Sequence, residues 1–84
     1  MKTTKIYVLM EYYNNGMDWE DKYEHEEILR AFMNLNDALK YKGKSFTKNT
    51  ENEFYGDFMY ISRNEYLEEG DYLNYRIYEV EVQE

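Results

Sequence analysis

Apolar and polar positions follow the clearest pattern over residues 5–13, KIYVLMEYY. In an extended chain residues 6, 8, 10 and 12 share one face and residues 7, 9, 11 and 13 the other. Both sets are mostly aliphatic or aromatic, which suits a pleated, half-buried surface. The segment is therefore predicted to be a central strand, with a neighbour along each edge and an element packed on at least one face.

A turn and a loop are predicted next. Asn14-Asn15-Gly16 is a turn signal, because Asn and Gly tolerate the positive φ of tight reversals. Residues 17–21, MDWED, hold the single tryptophan between acidic neighbours. We interpret them as part of a loop that widens the first hairpin.

Residues 23–33 fit two periods. As a strand, residues 29, 31 and 33 share one face and residues 28, 30 and 32 the other. As a helix, the apolar residues 28, 32, 35 and 39 recur at intervals of 4, 3 and 4, and Gly43 would end the helix. Periodicity leaves both interpretations open.

The order of these segments resembles a family of short uncharacterised proteins found in phages and Gram-positive bacteria. The clearest shared motifs are residues 24–27, EHEE, and residues 78–80, YEV, and the similarity covers about two thirds of the 84 residues. This chain departs from the family at Arg30-Ala31, where the family tends to have glycine, and across residues 54–73. The resemblance implies a strand for the segment ending at Phe32 and a short helix after it.

The predicted fold is α+β: a small, four-stranded, mostly antiparallel sheet in the order ββαββ with one helix on a face. The second strand covers about residues 23–32. The helix covers residues 35–42, with Asn34 as N-cap and Gly43 just past its end. Residues 46–53 are predicted as polar loop and Glu68-Glu69-Gly70-Asp71 as a turn. The last two strands cover residues 54–62 and 75–82.

A single domain over residues 1–84 is expected, because a chain of this length supports only one small core. In the last strand residues 78, 80 and 82 are predicted to share one face and residues 77, 79 and 81 the other, the pattern of an antiparallel strand with one wet side. The predicted core residues are Ile6, Val8, Leu9, Ile28, Leu29, Phe32, Leu35, Leu39, Phe58, Ile61, Ile77, Val80 and Val82.

Charge is distributed unevenly within a net charge of −8. Residues 18–27 carry six acids and one lysine, residues 28–50 five bases and one acid, and residues 51–84 ten acids and two arginines. An acidic surface repels nucleic-acid phosphates, so direct binding to DNA or RNA is not expected and a basic protein partner is favoured. The absence of cysteine, of a signal-peptide pattern and of a membrane-length apolar run predicts a cytoplasmic protein.

Motifs for catalysis or metal binding fail on inspection. His25 is the only histidine, and the sequence that follows it lacks the second histidine of a zinc signature. A calcium loop that began at Asp18 would need glycine at its sixth position and glutamate at its twelfth, but these positions hold Tyr23 and Leu29. Neither Ser45 nor Ser62 has a nucleophile elbow around it. We therefore predict no enzyme, no metal and no cofactor.

Four lysines, at positions 40, 42, 44 and 48, form a basic patch at the predicted end of the helix. Cations there offset the negative end of the helix dipole, so a solvated helix end is favoured over phosphate contact.

Eleven tyrosines exceed what so small a core requires, and several lie near loops among carboxylates. Tyrosine is enriched in protein interfaces because it buries a large area at low entropic cost. Tyrosines that simply face water from the open side of the sheet are the alternative. The residues predicted to contact a partner are Asp18, Trp19, Glu20, Asp21, Tyr23, Glu24, Glu65, Tyr66, Glu68, Glu69, Asp71 and Tyr72.

The leading hypothesis is a small, acidic, non-enzymatic interaction protein, encoded by a phage. By analogy with other small acidic proteins it would be an anti-CRISPR or other anti-defence inhibitor. It would occupy the basic nucleic-acid-binding surface of a host protein such as a nuclease. The alternatives are a self-associating domain, pairing as a homodimer through a sheet face or edge, and a module that binds a small ligand or nucleotide near Lys40–Lys48.

Overall fold

The computed structural model describes residues 2–17, 19–50 and 58–83. Short 3-10 turns occur at Trp19–Asp21, Tyr41–Gly43 and Glu68–Gly70. The regular elements, in chain order, are β1 (Thr3–Asn14), β2 (Glu24–Phe32), α1 (Leu35–Leu39), β3 (Phe46–Lys48), β4 (Tyr60–Ser62), β5 (Glu65–Tyr66) and β6 (Tyr72–Gln83). None of the helices in these ranges has the length and the apolar run needed to cross a membrane.

The strands form one antiparallel sheet in the order β2-β1-β6-β4-β3, and β5 also pairs with β6. β1 lies between β2 and β6 and pairs with β6 along its whole length, from Thr3 opposite Gln83 to Asn14 opposite Tyr72. The α+β class, the antiparallel sheet and the central position of the first strand are therefore confirmed. The predicted number of strands is wrong, since the described residues form six strands rather than four.

The segment that periodicity left open is a strand. β2 pairs with β1 from Phe32, opposite Tyr7, to Glu24, opposite Asn14, and the register shifts by one residue after Leu9. A bulge of this kind removes the strict alternation by which a strand is recognised in sequence.

The helix begins where it is predicted to begin but ends earlier. Asn34 is the N-cap, and its side chain accepts a hydrogen bond from the Asn36 amide at 2.8 Å. α1 ends at Leu39 instead of Lys42, and Lys42 adopts a left-handed φ of 44° that cannot continue a helix. Five residues are too few for a stable isolated helix, so α1 depends on packing against the sheet.

The second half of the chain contains more strands than predicted. Residues 46–48, predicted as loop, pair with β4, and β5 was not predicted. The strand predicted over residues 54–62 is present only as Tyr60–Ser62, and residues 54–57 lie outside the described residues. Strands of two or three residues show no period, so only their partners in the sheet define them.

The core lies between α1 and one face of the sheet, which we call the helix face. Leu9 and Ile77 are fully buried there with Ala38, and Tyr75 is almost fully buried. The partly buried residues around them include Leu29, Phe32, Leu35 and Leu39, which were predicted core residues.

Of the predicted core residues, Ile77 is confirmed, and Val80, Val82 and Ile28 are wrong. Ile77 lies on the helix face, whereas Val80 and Val82 are exposed on the opposite face, which we call the open face; Ile28 on β2 is exposed there too. α1 has five residues and covers a single face, so the aliphatic residues of the other face have no helix over them.

Candidate functional site

The register of the sheet brings the two most acidic described segments to the same end. Asn14 at the end of β1 pairs with both Glu24 and Tyr72. The β1–β2 loop and the β5–β6 turn therefore lie side by side, although they are about 50 residues apart in the sequence. We call this region, residues 15–24 and 66–72, the acidic end.

Glycine is required where the two segments meet. Gly16 has a φ of +72°, and a Cβ at this position would collide with the carbonyl oxygen of Gly70. The Asn14 side chain accepts a hydrogen bond from the Gly16 amide at 2.7 Å, and the Asn15 side chain accepts from the Tyr23 amide at 3.0 Å. The Asn-Asn-Gly sequence thus closes the first loop with its own side chains, as Asn does in turns.

A hydrogen bond between a tyrosine and an aspartate joins the end of β1 to the β5–β6 turn. The Tyr13 hydroxyl donates to Oδ2 of Asp71 at 2.6 Å, and the Tyr13 and Tyr23 rings lie 5.9 Å apart. The hydrogen bond to Asp71 raises the pKa of Tyr13, because the carboxylate stabilises the protonated phenol. Lys22 contacts Glu24 at 2.6 Å and lowers the pKa of that carboxyl.

Exposed rings and carboxylates form the outer surface of this end. Tyr23 is 56% exposed and Tyr66 75% exposed. Four carboxylates at the acidic end make no ion pair or hydrogen bond to another side chain within the described residues: Glu20, Asp21, Glu68 and Glu69. The surface combines negative charge with exposed tyrosine rings, and tyrosine, unlike Asp and Glu, is enriched in protein interfaces.

The structure places most of the predicted partner-contacting residues together at this end, but not Glu65. The Glu65 carboxylate forms an ion pair with Lys44, whose ammonium lies 5.4 Å from the Tyr75 ring centre. Asp18 and the side chain of Trp19 lie outside the described residues.

A buried arginine lies behind the acidic end on the open face. The Arg76 guanidinium is held between two rings, with its central carbon 3.6 Å from the Tyr12 ring centre and 4.5 Å from that of Phe58. Its Nη1 donates to Glu26 at 3.0 Å, and its Nε donates to Asn74 at 3.1 Å. A buried charge is tolerated when it is paired and hydrogen-bonded in this way.

The Glu26 carboxylate, which pairs with Arg76, also accepts a hydrogen bond from a tyrosine. The Tyr78 hydroxyl donates to Glu26 at 3.0 Å. Burial, and then the hydrogen bond to Glu26, raise the pKa of Tyr78 to about 12. The Asn74 side chain, which accepts from Arg76, donates to Asn64 at 3.0 Å, so one chain of polar contacts links β2, β6 and the segment before β5.

This arrangement borders a cleft of about 380 Å³. The volume lies at the lower end of the range for small-ligand sites. Every buried side-chain nitrogen and oxygen within the described ranges already has a partner, so the network is complete without a ligand. The residues around the cleft are Tyr12, Asn14, Lys22, Glu24, Asn49, Phe58, Ile61, Asn64, Tyr72, Asn74 and Arg76.

Sequence reasoning missed the arginine network, although it left a signal. Asn74, Arg76 and Tyr78 alternate along a strand, so three polar side chains share one face in a segment otherwise rich in apolar residues. The four lysines of the predicted basic patch are not among the residues around the cleft. His25 is exposed on β2, and no group of three His, Asp or Glu side chains in the described part of the chain could hold a metal ion.

Comparison of the chain with protein-family models, with curated proteins and with solved structures found no match.

Proposed function

We propose that the protein is a small, non-enzymatic interaction domain that uses its acidic end to bind a basic surface of another protein. The observation that supports this most directly is the convergence of the two acidic segments around exposed tyrosines. Carboxylates at this end attract a basic surface over distance, and the rings supply the apolar area that holds it at contact.

The partner in this proposal is a nucleic-acid-binding protein of a bacterial host, such as a nuclease of a defence system, and the chain is its phage-encoded inhibitor. A groove that binds phosphates presents lysine and arginine to anionic oxygens. In this proposal the carboxylates of the acidic end take the places of phosphates in such a groove, so binding of the chain and of nucleic acid would be mutually exclusive.

A pair of matched variants tests the acidic end. Glu68→Lys/Glu69→Lys reverses two exposed charges there, and Glu79→Lys/Glu81→Lys reverses two on β6 away from it. Both change the net charge of −8 equally, so only position differs. In capture from host lysate at about 0.05 M salt, we expect the first variant to lose the partner and the second to retain it, with release from the wild-type chain at about 0.5 M. Equal loss with both variants would indicate an effect of net charge alone and would contradict the proposal.

Competition with nucleic acid tests the inhibitor role. Once the partner is identified, we expect its DNA or RNA substrate to displace the chain from the purified complex. A ternary complex of partner, chain and nucleic acid would rule out occupation of the groove.

A small-ligand module is the second candidate, because the cleft beside Arg76 is large enough for a small polar molecule. Ligand binding would raise the melting temperature by mass action. A panel of nucleotides and sugars that leaves the melting temperature unchanged would exclude this candidate for those ligand classes.

A further inference from the structure

Four side-chain amides border the cleft on the open face. Asn14 and Asn74 are buried on β1 and β6, Asn64 precedes β5, and Asn49 follows β3. The Asn14 amide donates to the Tyr12 hydroxyl at 2.9 Å, and the Asn74 amide donates to Asn64 at 3.0 Å. The protein itself therefore fixes the orientation of these groups, and polar groups fixed in this way give a ligand site its specificity.

Two nitrogen donors at the cleft are available to a ligand. In the Arg76 guanidinium, Nη1 donates to Glu26 and Nε to Asn74, and Nη2 forms no hydrogen bond of standard geometry with a described residue. The Asn64 oxygen accepts from Asn74, but its Nδ2 donates to no described residue. No buried nitrogen of the described side chains lacks a partner, so both donors reach solvent. Arg76 is only 9% exposed and borders the cleft, so the accessible part of its guanidinium opens there.

The charges around the cleft cancel. Arg76 pairs with Glu26 at 3.0 Å and Lys22 pairs with Glu24 at 2.6 Å, so each cation is matched by a carboxylate. An anionic ligand would meet no surplus of positive charge here, in a chain whose net charge is −8. A cationic ligand would face the donors of Arg76 and Asn64. The ligand that fits is therefore uncharged and rich in oxygen acceptors.

The aromatic rings at the cleft leave no slot for a flat base. Pockets for nucleobases hold the base by stacking it between two side chains. Here the guanidinium of Arg76 fills the gap between Tyr12 and Phe58. The rings of Tyr12 and Tyr72 are in direct contact, with centres 6.4 Å apart and planes tilted by 49°. The rings thus form a single wall, whose negative faces suit the weakly positive C–H face of a saturated ring.

We propose that this cleft binds a neutral sugar. The sugar ring lies against Tyr72, and its hydroxyl oxygens accept hydrogen bonds from Nη2 of Arg76 and Nδ2 of Asn64. The volume of about 380 Å³ is at the lower end for ligand sites, which suits a mono- or disaccharide. A sugar site here rests on the small-ligand candidate function and gives it a ligand class. Arg76 and Asn64 lie outside the acidic end, so binding of a protein partner there does not depend on them.

NMR titration of the isotope-labelled full chain tests the proposal. The probes are glucose, galactose, mannose, N-acetylglucosamine, cellobiose, maltose and lactose, each to about 20 mM, with adenosine and glucose phosphate for comparison. We expect at least one neutral sugar to shift the side-chain signals of Asn64 and Arg76 with a Kd below about 5 mM. Adenosine and glucose phosphate should bind at least about tenfold more weakly than that sugar.

A matched pair of asparagine variants locates the site. Asn64→Ala removes a donor at the cleft and should raise the Kd for the sugar about fivefold, the loss expected for one hydrogen bond. Asn36→Ala removes an exposed amide from α1, which packs on the other face of the sheet, and should leave the Kd unchanged. Asn64 and Asn36 are both exposed, and the NMR spectra verify that each variant is folded. Glu68→Lys/Glu69→Lys, which alters the acidic end, should bind the sugar as the wild-type chain does.

Three outcomes would overturn the proposal. No sugar of the panel could shift the spectrum. Adenosine or glucose phosphate could bind more tightly than every neutral sugar, which would retain the small-ligand candidate and reject the sugar. Asn64→Ala and Asn36→Ala could weaken sugar binding equally, which would locate the contact outside the cleft. None of these outcomes bears on capture of a protein partner by the acidic end, so the two proposals fail separately.

Discussion

The two ends of the β1–β6 pair share the same strands and one continuous register but differ in surface chemistry. At one end, Asn14 and Tyr72 lead into loops that carry carboxylates and exposed tyrosines. At the other, Ile6 and Val80 form part of an aliphatic surface without charge. One continuous backbone ladder thus supports two surfaces of different chemistry. Salt should distinguish them, because it screens attraction at the acidic end and does not weaken apolar contact.

The largest expected effect separates the buried face from the exposed one. Leu9→Ala should lower the free energy of unfolding by about 3 kcal/mol, because it opens a cavity under α1. Val80→Ala truncates an exposed side chain and should cost less than about 1 kcal/mol. Urea denaturation measures both. Equal losses would mean that the open face is covered within the monomer.

The arginine network should have the next largest effect. Arg76→Ala should lower the free energy of unfolding by about 2 kcal/mol, since Tyr12 and Phe58 lose the group packed between them and Glu26 loses its cation. The value is moderate because the Glu26 side chain is 29% exposed and can be rehydrated. Arg63 is exposed, and Arg63→Ala is the control, with a change below about 0.5 kcal/mol. A similar loss in both variants would argue against a structural role for the network.

The contact between the two acidic segments should have a smaller but specific effect. Gly16→Ala and Gly43→Ala both place a side chain at positive φ, with a cost of about 1 to 2 kcal/mol each. Only the first also meets the Gly70 carbonyl, whereas the Cβ at position 43 meets nothing within 4 Å. We expect Gly16→Ala to be the more destabilising by about 1 kcal/mol. Equal destabilisation by the two variants would mean that the β1–β2 loop can move away from Gly70 without any loss of stability.

The last prediction concerns the titration of Tyr78. Its pKa is raised from 10.0 in the unfolded chain to about 12, so the folded state holds the proton more tightly. The contribution of this proton to stability is complete below pH 10 and is lost as the pH rises towards 12. Phenolate absorbance should show a late step that Tyr78→Phe removes. Glu26→Gln should move that step to lower pH, since it removes the carboxylate that favours the protonated phenol. A late step that is unchanged in both variants belongs to another tyrosine.

Short-range chemistry explains the parts of the fold that were predicted correctly. The alternation over residues 5–13 predicted the central strand. A pleated strand with a neighbour along each edge favours aliphatic and aromatic residues at nearly every position. Asn34 was identified as the helix N-cap, since its side chain satisfies a free amide within two residues. Both features depend on neighbours in the chain.

The errors share a physical origin in contacts between distant residues. β3 and β5 are too short to have a period and exist only by pairing with β4 and β6. Val80 and Val82 are as apolar as Ile77, and only the position of α1 decides which face of β6 becomes the core.

For the candidate site, the sequence determined which residues are available, and the tertiary structure determined how they are arranged. The acidic segments, the tyrosines and the Asn-Asn-Gly turn are visible in the sequence alone. Their meeting at one end follows from the register that pairs Asn14 with Tyr72, and the place of Arg76 between Tyr12 and Phe58 follows from the same pairing. Register is set by burial summed over the whole sheet, so no local stretch of sequence contains it.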